Sequence, residues 1–294
     1  MIILYFLLGI ITLSSGSVFY KMGAVRSINE KTSPALLCTI YFIIASLGYS
    51  VANALNGADF IPSRETLVCA IIGGVSFVAG YFYIIAQGCG PYTESATLIN
   101  FSNFLPIIYC LVFPGETIGP MTLLGVVLMV LSVYFLTTRG KSGNEKKLTK
   151  RWVVLITLTV ITNSVISYMI RVQEHFDKQN GRSETALFFA ILFAVAAITA
   201  LIIFFAVGGA KSGDKPLSLI PPAIGLAACI GGNVLTQSLL YKEGVAPAVQ
   251  SPIINGGSLI LSAVIGVFFF KDKLSKKAIF ALVIGIAAII LLSL

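Results

Sequence analysis

Residues 247–272 read PAVQSPIINGGSLILSAVIGVFFFKD. The second half is a continuous apolar run that ends on charge, the pattern of a membrane span. The first half carries Gln250, Ser251, Pro252, Asn255, Gly256, Gly257 and Ser258, where lipid contact would call for leucine. An amide left unpaired in hydrocarbon is costly, so these groups are expected to face the protein interior or a wet cavity. A second stretch, PYTESATLINFSNFLPIIYCLVFPGE at 91–116, has the same character and lies 156 positions earlier.

The rest of the chain places this stretch in a membrane. Of its 294 residues 57% are hydrophobic and 11% charged, with a mean hydropathy of +0.95. A soluble domain carries roughly 25% charged residues, so so much apolar surface needs lipid. The apolar N-terminus has no basic stretch ahead of it and no small-residue cleavage pattern, so residues 1–22 are expected to be a span of the mature chain. The net charge of +8 does not argue for nucleic acid, because the basic residues lie between apolar runs and act as topology signals. Cys38, Cys69, Cys89, Cys110 and Cys229 are scattered without ligand spacing, and His175 is the sole histidine. No Ser-His-Asp set, paired carboxylates or phosphate loop is evident, so no catalytic residue, metal or other cofactor is assigned.

Ten segments have the length and apolarity of spans: 2–22, 34–55, 66–87, 92–113, 120–138, 152–172, 184–207, 219–240, 246–270 and 276–294. The expected fold is an all-α integral membrane protein. The basic link 139–151 divides a first five-helix repeat, 1–138, from a second, 152–294. At an offset of 156, Gly88 meets Gly244, Pro91 meets Pro247, Ser95 meets Ser251, Ser102 meets Ser258 and Glu116 meets Asp272. Five helices is an odd number, so the second repeat must enter the membrane from the opposite side. That inverted arrangement places a site near the midplane, between the halves.

These features resemble the drug/metabolite transporter superfamily in its ten-helix EamA-type form. The resemblance rests on Gly88 to Pro91 before the fourth segment, the Ser- and Pro-containing fourth segment, and the FPGE exit at 113–116. Their second-half counterparts are Gly244 to Pro247, the ninth segment and FFKDKLS at 269–275. It implies a transporter whose central cavity is lined by segments 1, 3, 4, 6, 8 and 9, with segments 5 and 10 peripheral. Of the 20 Lys and Arg residues, 15 fall at the links after odd-numbered segments. The basic bias therefore puts those links in the cytoplasm and both termini outside. Many proteins of the resembled family have both termini inside, and this chain departs from them.

No charged residue is expected near the middle of a span; Lys21, Glu94 and Arg171 come closest, each within about a turn of an end. Amides take that place: Asn100 and Asn103 in the fourth segment, Asn163 in the sixth, Asn233 in the eighth and Asn255 in the ninth. Ser251, Asn255, Ser258 and Ser262 form one helical stripe; Cys229, Asn233, Gln237 and Tyr241 form another; Thr159, Asn163 and Ser167 a third. Such groups glue helices together, but their common depth favours a shared polar cavity. Pro106 and Pro252 free backbone carbonyls that need other partners. Glu94 stands in a helix first turn, where a carboxylate complements the dipole. It and its counterpart Gln250 are candidate gating or coupling residues. Tyr20, Phe77, Tyr81, Tyr83, Tyr168 and Tyr241 are candidate lining residues, with an interfacial belt the alternative that suits Tyr20 and Tyr241 best.

The sequence thus points to a multi-pass cell-membrane transporter moving a small polar solute, neutral or zwitterionic (such as an amino acid), by alternating access. A cationic amine or a sugar is the alternative substrate, and an integral-membrane enzyme or accessory membrane protein the rival class. The expected partners are a small-molecule substrate and the lipid bilayer, not nucleic acid, with the chain acting as a monomer or homodimer. The expected substrate-binding set is Asn100, Asn103, Asn163, Asn233, Gln237, Asn255, Ser258, Tyr81 and Tyr168.

Overall fold

The structure, a computed structural model, describes residues 1–29, 33–90, 92–100, 102, 120–137, 149–181, 183–209, 216–243, 245, 247–271 and 276–292. Every regular element among them is a helix: α1 (Ile2–Asn29), α2 (Pro34–Leu55), α3 (Arg64–Ser76), α4 (Val78–Cys89), α5 (Tyr92–Asn100), α6 (Pro120–Thr137), α7 (Lys150–Asn180), α8 (Thr185–Ala206), α9 (Ile220–Lys242), α10 (Pro247–Phe268) and α11 (Lys276–Leu292). A short 3-10 turn, Pro216–Leu219, leads into α9.

Six stretches among the described residues are long and apolar enough to cross a membrane: Ile2–Ser27, Pro34–Leu55, Arg64–Cys89, Lys150–Asp177, Thr185–Ala206 and Leu217–Gln237. The 22 residues of α2 rise about 33 Å at about 1.5 Å each, close to the hydrocarbon thickness. The outer faces carry exposed large side chains such as Leu47, Val51, Ile202 and Phe205, a surface suited to lipid. The fold is all-helical and of the multi-pass membrane type.

Three segments differ from their expected bounds. The first continues seven residues beyond 22, to Asn29, where Arg26 Nη1 donates to the Ser218 carbonyl at 2.5 Å and fastens the last turns. The sixth spans 31 residues, because its polar end keeps helical pairings: Gln173 to Asp177 at 2.8 Å and Arg171 to Glu174 at 3.4 Å. The third is broken at Phe77, whose N–H reaches only to the Gly74 carbonyl at 3.1 Å. The break has a packing cause. The Phe77 ring wedges between Phe42 and Phe193, with centroids 5.1 and 5.3 Å away, inside an aromatic core shared by α2, α4 and α8. One turn earlier, a Cβ at Gly74 would stand 2.6 Å from the Leu192 carbonyl oxygen, so only glycine lets α3 lie this close to α8.

The first helix is central, packed on α4, α9 and α10. Helix α2 pairs with α8, and α7 with α3, α4 and α5. Helices α6 and α11 pair with each other, joined by the Ser132 hydroxyl donating to the Ala281 carbonyl at 2.6 Å and by the Phe135 and Phe280 rings.

Candidate functional site

The inward face of α7 is built on the spacing Trp152, Ile156, Thr159, Asn163, one stripe at i, i+4, i+7 and i+11. Trp152 and Thr159 are fully buried, and Thr149 caps the helix by accepting from the Trp152 N–H at 3.2 Å. The facing helix α5 offers Ser95 and, just past its end, Ser102, seven residues apart and so on the same side. Trp152 Nε1 donates to Ser95 Oγ at 3.0 Å, and Asn163 Nδ2 donates to Ser102 Oγ. Ser102 in turn donates to the Ile99 carbonyl at 2.6 Å. Two polar contacts therefore tie α5 to α7, the second at an expected site residue.

The α4–α5 link is the point on which this end of the molecule closes. A Cβ at Gly90 would lie 2.1 Å from both Cδ1 and Nε1 of Trp152, so the indole sits flat on the link backbone. Lys21 Nζ donates to the Gly90 carbonyl at 3.0 Å and to the Gln87 carbonyl, a cation at the C-terminal end of α4. The Tyr92 ring lies 4.6 Å from that of Phe270. Glu94, one turn farther, is 1% exposed and Lys21 8%, so both charges are inside the protein. Glu94 is in the first turn of its helix, as expected, whereas Lys21 is farther from a helix end than the turn expected of it. Lys21 stands about two turns inside α1, because that helix runs on to Asn29. Tyr20 is half-buried and turned toward α2 and α4, its hydroxyl 3.1 Å from that of Tyr41 and its ring centred 5.1 Å from Tyr83.

The remaining predicted residues fall in separate places. On α9, Gln237 Nε2 donates to Asn233 Oδ1 at 2.9 Å, one turn along the same helix, and both side chains stay half-buried. On α10, Asn255 is buried and its amide makes no hydrogen bond among the described residues. Ser258 is buried beside α1, its carbonyl accepting from Ser14 Oγ at 3.3 Å. Gln250 Nε2 reaches back to the Val245 carbonyl at 2.7 Å and so secures the start of its own helix. Tyr81 and Tyr168 are half-buried on α4 and α7. Asn103 and Pro106 lie outside the described residues, as does the side chain of Asn100. Helix α10 continues unbroken through position 252.

The described hydrogen bonds do not join the α9 amides to Asn163 or Asn255. A groove of ≈ 260 Å³ lies elsewhere, between α2 and α8, lined by Ser46, Leu47, Ala197 and Ile198 among others. Leu47 and Ile198 are more than half exposed, so that groove faces outward and not toward the amides. Sequence reasoning passed over Trp152, the first residue of the sixth segment, and Lys21, set near a helix end. The signal for Trp152 was available: it is the one tryptophan of the chain and shares the stripe of Thr159 and Asn163.

No family model matches the chain, and no curated protein matches it. Solved structures do: 27 chains are similar. One of them, described as "Crystal structure of protein", has a TM-score of 0.64 over 96% of this chain and 95% of that one, at 15% identity. That likeness is one of fold.

Proposed function

We propose that the chain is a transporter of a small neutral or zwitterionic polar solute, built as two inverted five-helix repeats of the drug/metabolite transporter type and working by alternating access in the cell membrane. The observation that carries this reading is the pattern of helix contacts. Exchange each helix with its counterpart in the other half: α1 with α7, α2 with α8, α3–α4 with α9, α5 with α10 and α6 with α11. The pairs α2–α8, α5–α10 and α6–α11 map onto themselves; α1–α9 maps onto α7 with α3–α4, α1–α10 onto α7–α5, and α2–α9 onto α8–α3. A packing scheme that survives this exchange is what an inverted repeat requires, and such repeats bind solute between the halves.

The substrate class follows from the interior chemistry. Asn163, Asn233, Gln237 and Asn255 supply donors and acceptors without net charge, and the two buried charges nearest the α4–α5 link, Lys21 and Glu94, are one of each sign. A cationic amine suits this interior less well, because the tyrosine cluster that would receive it through cation–π contact stands directly beside Lys21. The basic bias orients the α4–α5 link to the cytoplasm and both termini outside.

The test is thermal stabilisation of the purified protein by a panel of neutral amino acids, sugars and amines. A ligand at about 100 times its Kd stabilises by about 2.7 kcal/mol, a shift easily read. At least one neutral or zwitterionic solute is expected to raise the Tm. Asn255→Ala, which leaves the bound polar group of the solute without its partner, is expected to weaken that solute about tenfold while the protein stays folded. Stabilisation by cationic amines alone would contradict the substrate assignment.

A further inference from the structure

The exchange of halves leaves several pairs over among the described residues, and one of them lies inside the bundle. Helix α1 packs on α4, yet α7 and α9, their counterparts, do not pair in the same way among the described residues. The two ends of the molecule are therefore in different states. At the end where α1 meets α4, everything converges on the α4–α5 link: Lys21 on the carbonyls of Gln87 and Gly90, Trp152 flat on Gly90, and Tyr92 against Phe270. On the other side, Asn163 of α7 and the amides of α9 belong to helices that stand apart, and no described hydrogen bond joins them.

Trp152 lies on the same α7 stripe as Asn163, eleven residues before it, which is about 16 Å along the helix. Between them are Ile156 and Thr159, both buried. The indole thus covers the one face of α7 that leads from the link to an expected ligand of the solute. Beneath it, Gln87 Oε1 is fully buried with no hydrogen-bond partner among the described residues. A buried acceptor left open in this way is one that water or solute satisfies when the region parts.

We infer that Trp152 is the plug of a gate at the α4–α5 link, closed in this structure, and that its Ser95 contact and the Asn163–Ser102 contact are two rungs of one zipper between α5 and α7. The inference rests on the transporter reading and adds the part that moves. Opening toward the link lifts the indole off Gly90 and breaks the Ser95 rung. The inner rung lies at the depth of the solute, which competes with Ser102 for the Asn163 amide. Lys21 holds the link shut from the α1 side.

The chain's one tryptophan is its own reporter, so the test needs no label and keeps the native sequence apart from one change. The intact protein is reconstituted in vesicles of uniform orientation, and iodide is added to one side at a time while Trp152 emission is followed. The parent is expected to be poorly quenched from the link side. Ser95→Ala removes the acceptor of the indole N–H and is expected to raise quenching from that side about threefold, the factor that loss of one average membrane hydrogen bond gives. Lys21→Met, which frees the link without touching Trp152, is expected to act in the same direction. Quenching unchanged by both variants, or raised equally from both sides, would overturn the gate. Solute counterflow measured in the same vesicles separates the two claims. Absence of counterflow in the parent with sided quenching intact removes the transport reading and upholds the moving contact; intact counterflow with unsided quenching does the reverse.

Discussion

The contact between α5 and α7 and the contact between α1 and α10 are counterparts under the proposed exchange of halves, yet they are made differently. The first is polar: Trp152 to Ser95 and Asn163 to Ser102. The second is an interlock of apolar side chains into glycines. A Cβ at Gly257 would stand 2.4 Å from Ile10 Cδ1, and one at Gly9 would stand 3.0 Å from Ile254 Cδ1. Its one polar bond among the described residues, Ser14 Oγ to the Ser258 carbonyl, is long at 3.3 Å. Hydrogen bonds between membrane helices are worth about 0.6 kcal/mol each on average and exchange readily with solute or water. Interdigitated side chains have no such substitute and must separate bodily. On the gate reading, the polar α5–α7 contact is the one that opens toward the link, and α1–α10 has no exchangeable rungs of that kind.

Three substitutions press on that difference, in order of expected size. Gly90→Ala places a methyl group against a rigid indole and is expected to destabilise by about 1–3 kcal/mol as an overpacked site. It should lower the Tm and shift Trp152 emission to the red, since the ring has to leave the link. An unshifted emission would mean that the link backbone yields instead. Gly257→Ala meets an aliphatic side chain, Ile10, that can shift more easily than an indole, so its cost falls at about 1 kcal/mol, the low end of the same range. It should lower the Tm slightly and leave Trp152 emission untouched; a change in emission would show that the two contacts move together. Ser14→Ala removes a single long bond and is expected to cost no more than about 0.6 kcal/mol, with transport kinetics as in the parent. A strong loss of transport there would mean that α1–α10 is also a moving contact.

The sequence made the helices legible because hydropathy alone reports burial in lipid, and each of its ten segments overlaps a described helix, the third as two pieces and the fourth over its first nine residues. It also carried the question of the amides in 247–258. Part of the answer is packing: Gly257 receives Ile10, Ser258 meets Ser14, and Gln250 secures its own helix start. Asn255 is buried and its amide makes no hydrogen bond among the described residues. What sequence could not reveal were features set by pairing between distant helices. The break at Phe77 has no proline to announce it and follows from rings on α2 and α8. Lys21 reads as a helix-end cation until α4 is seen to end beside it. Ser95 and Ser102 read as repeat markers, and only the position of α7 makes them acceptors for Trp152 and Asn163.

The central claim is that a neutral or zwitterionic solute passes through the interior between the halves. Counterflow tests it most directly: vesicles containing the intact protein are loaded with one unlabelled solute of the panel, and uptake of the same labelled solute is followed from outside. The account predicts a transient accumulation for at least one neutral amino acid or sugar, strongly reduced at low solute concentration by Asn255→Ala. No accumulation for any neutral or zwitterionic solute, by protein whose helical content and Tm show it to be folded, would contradict it.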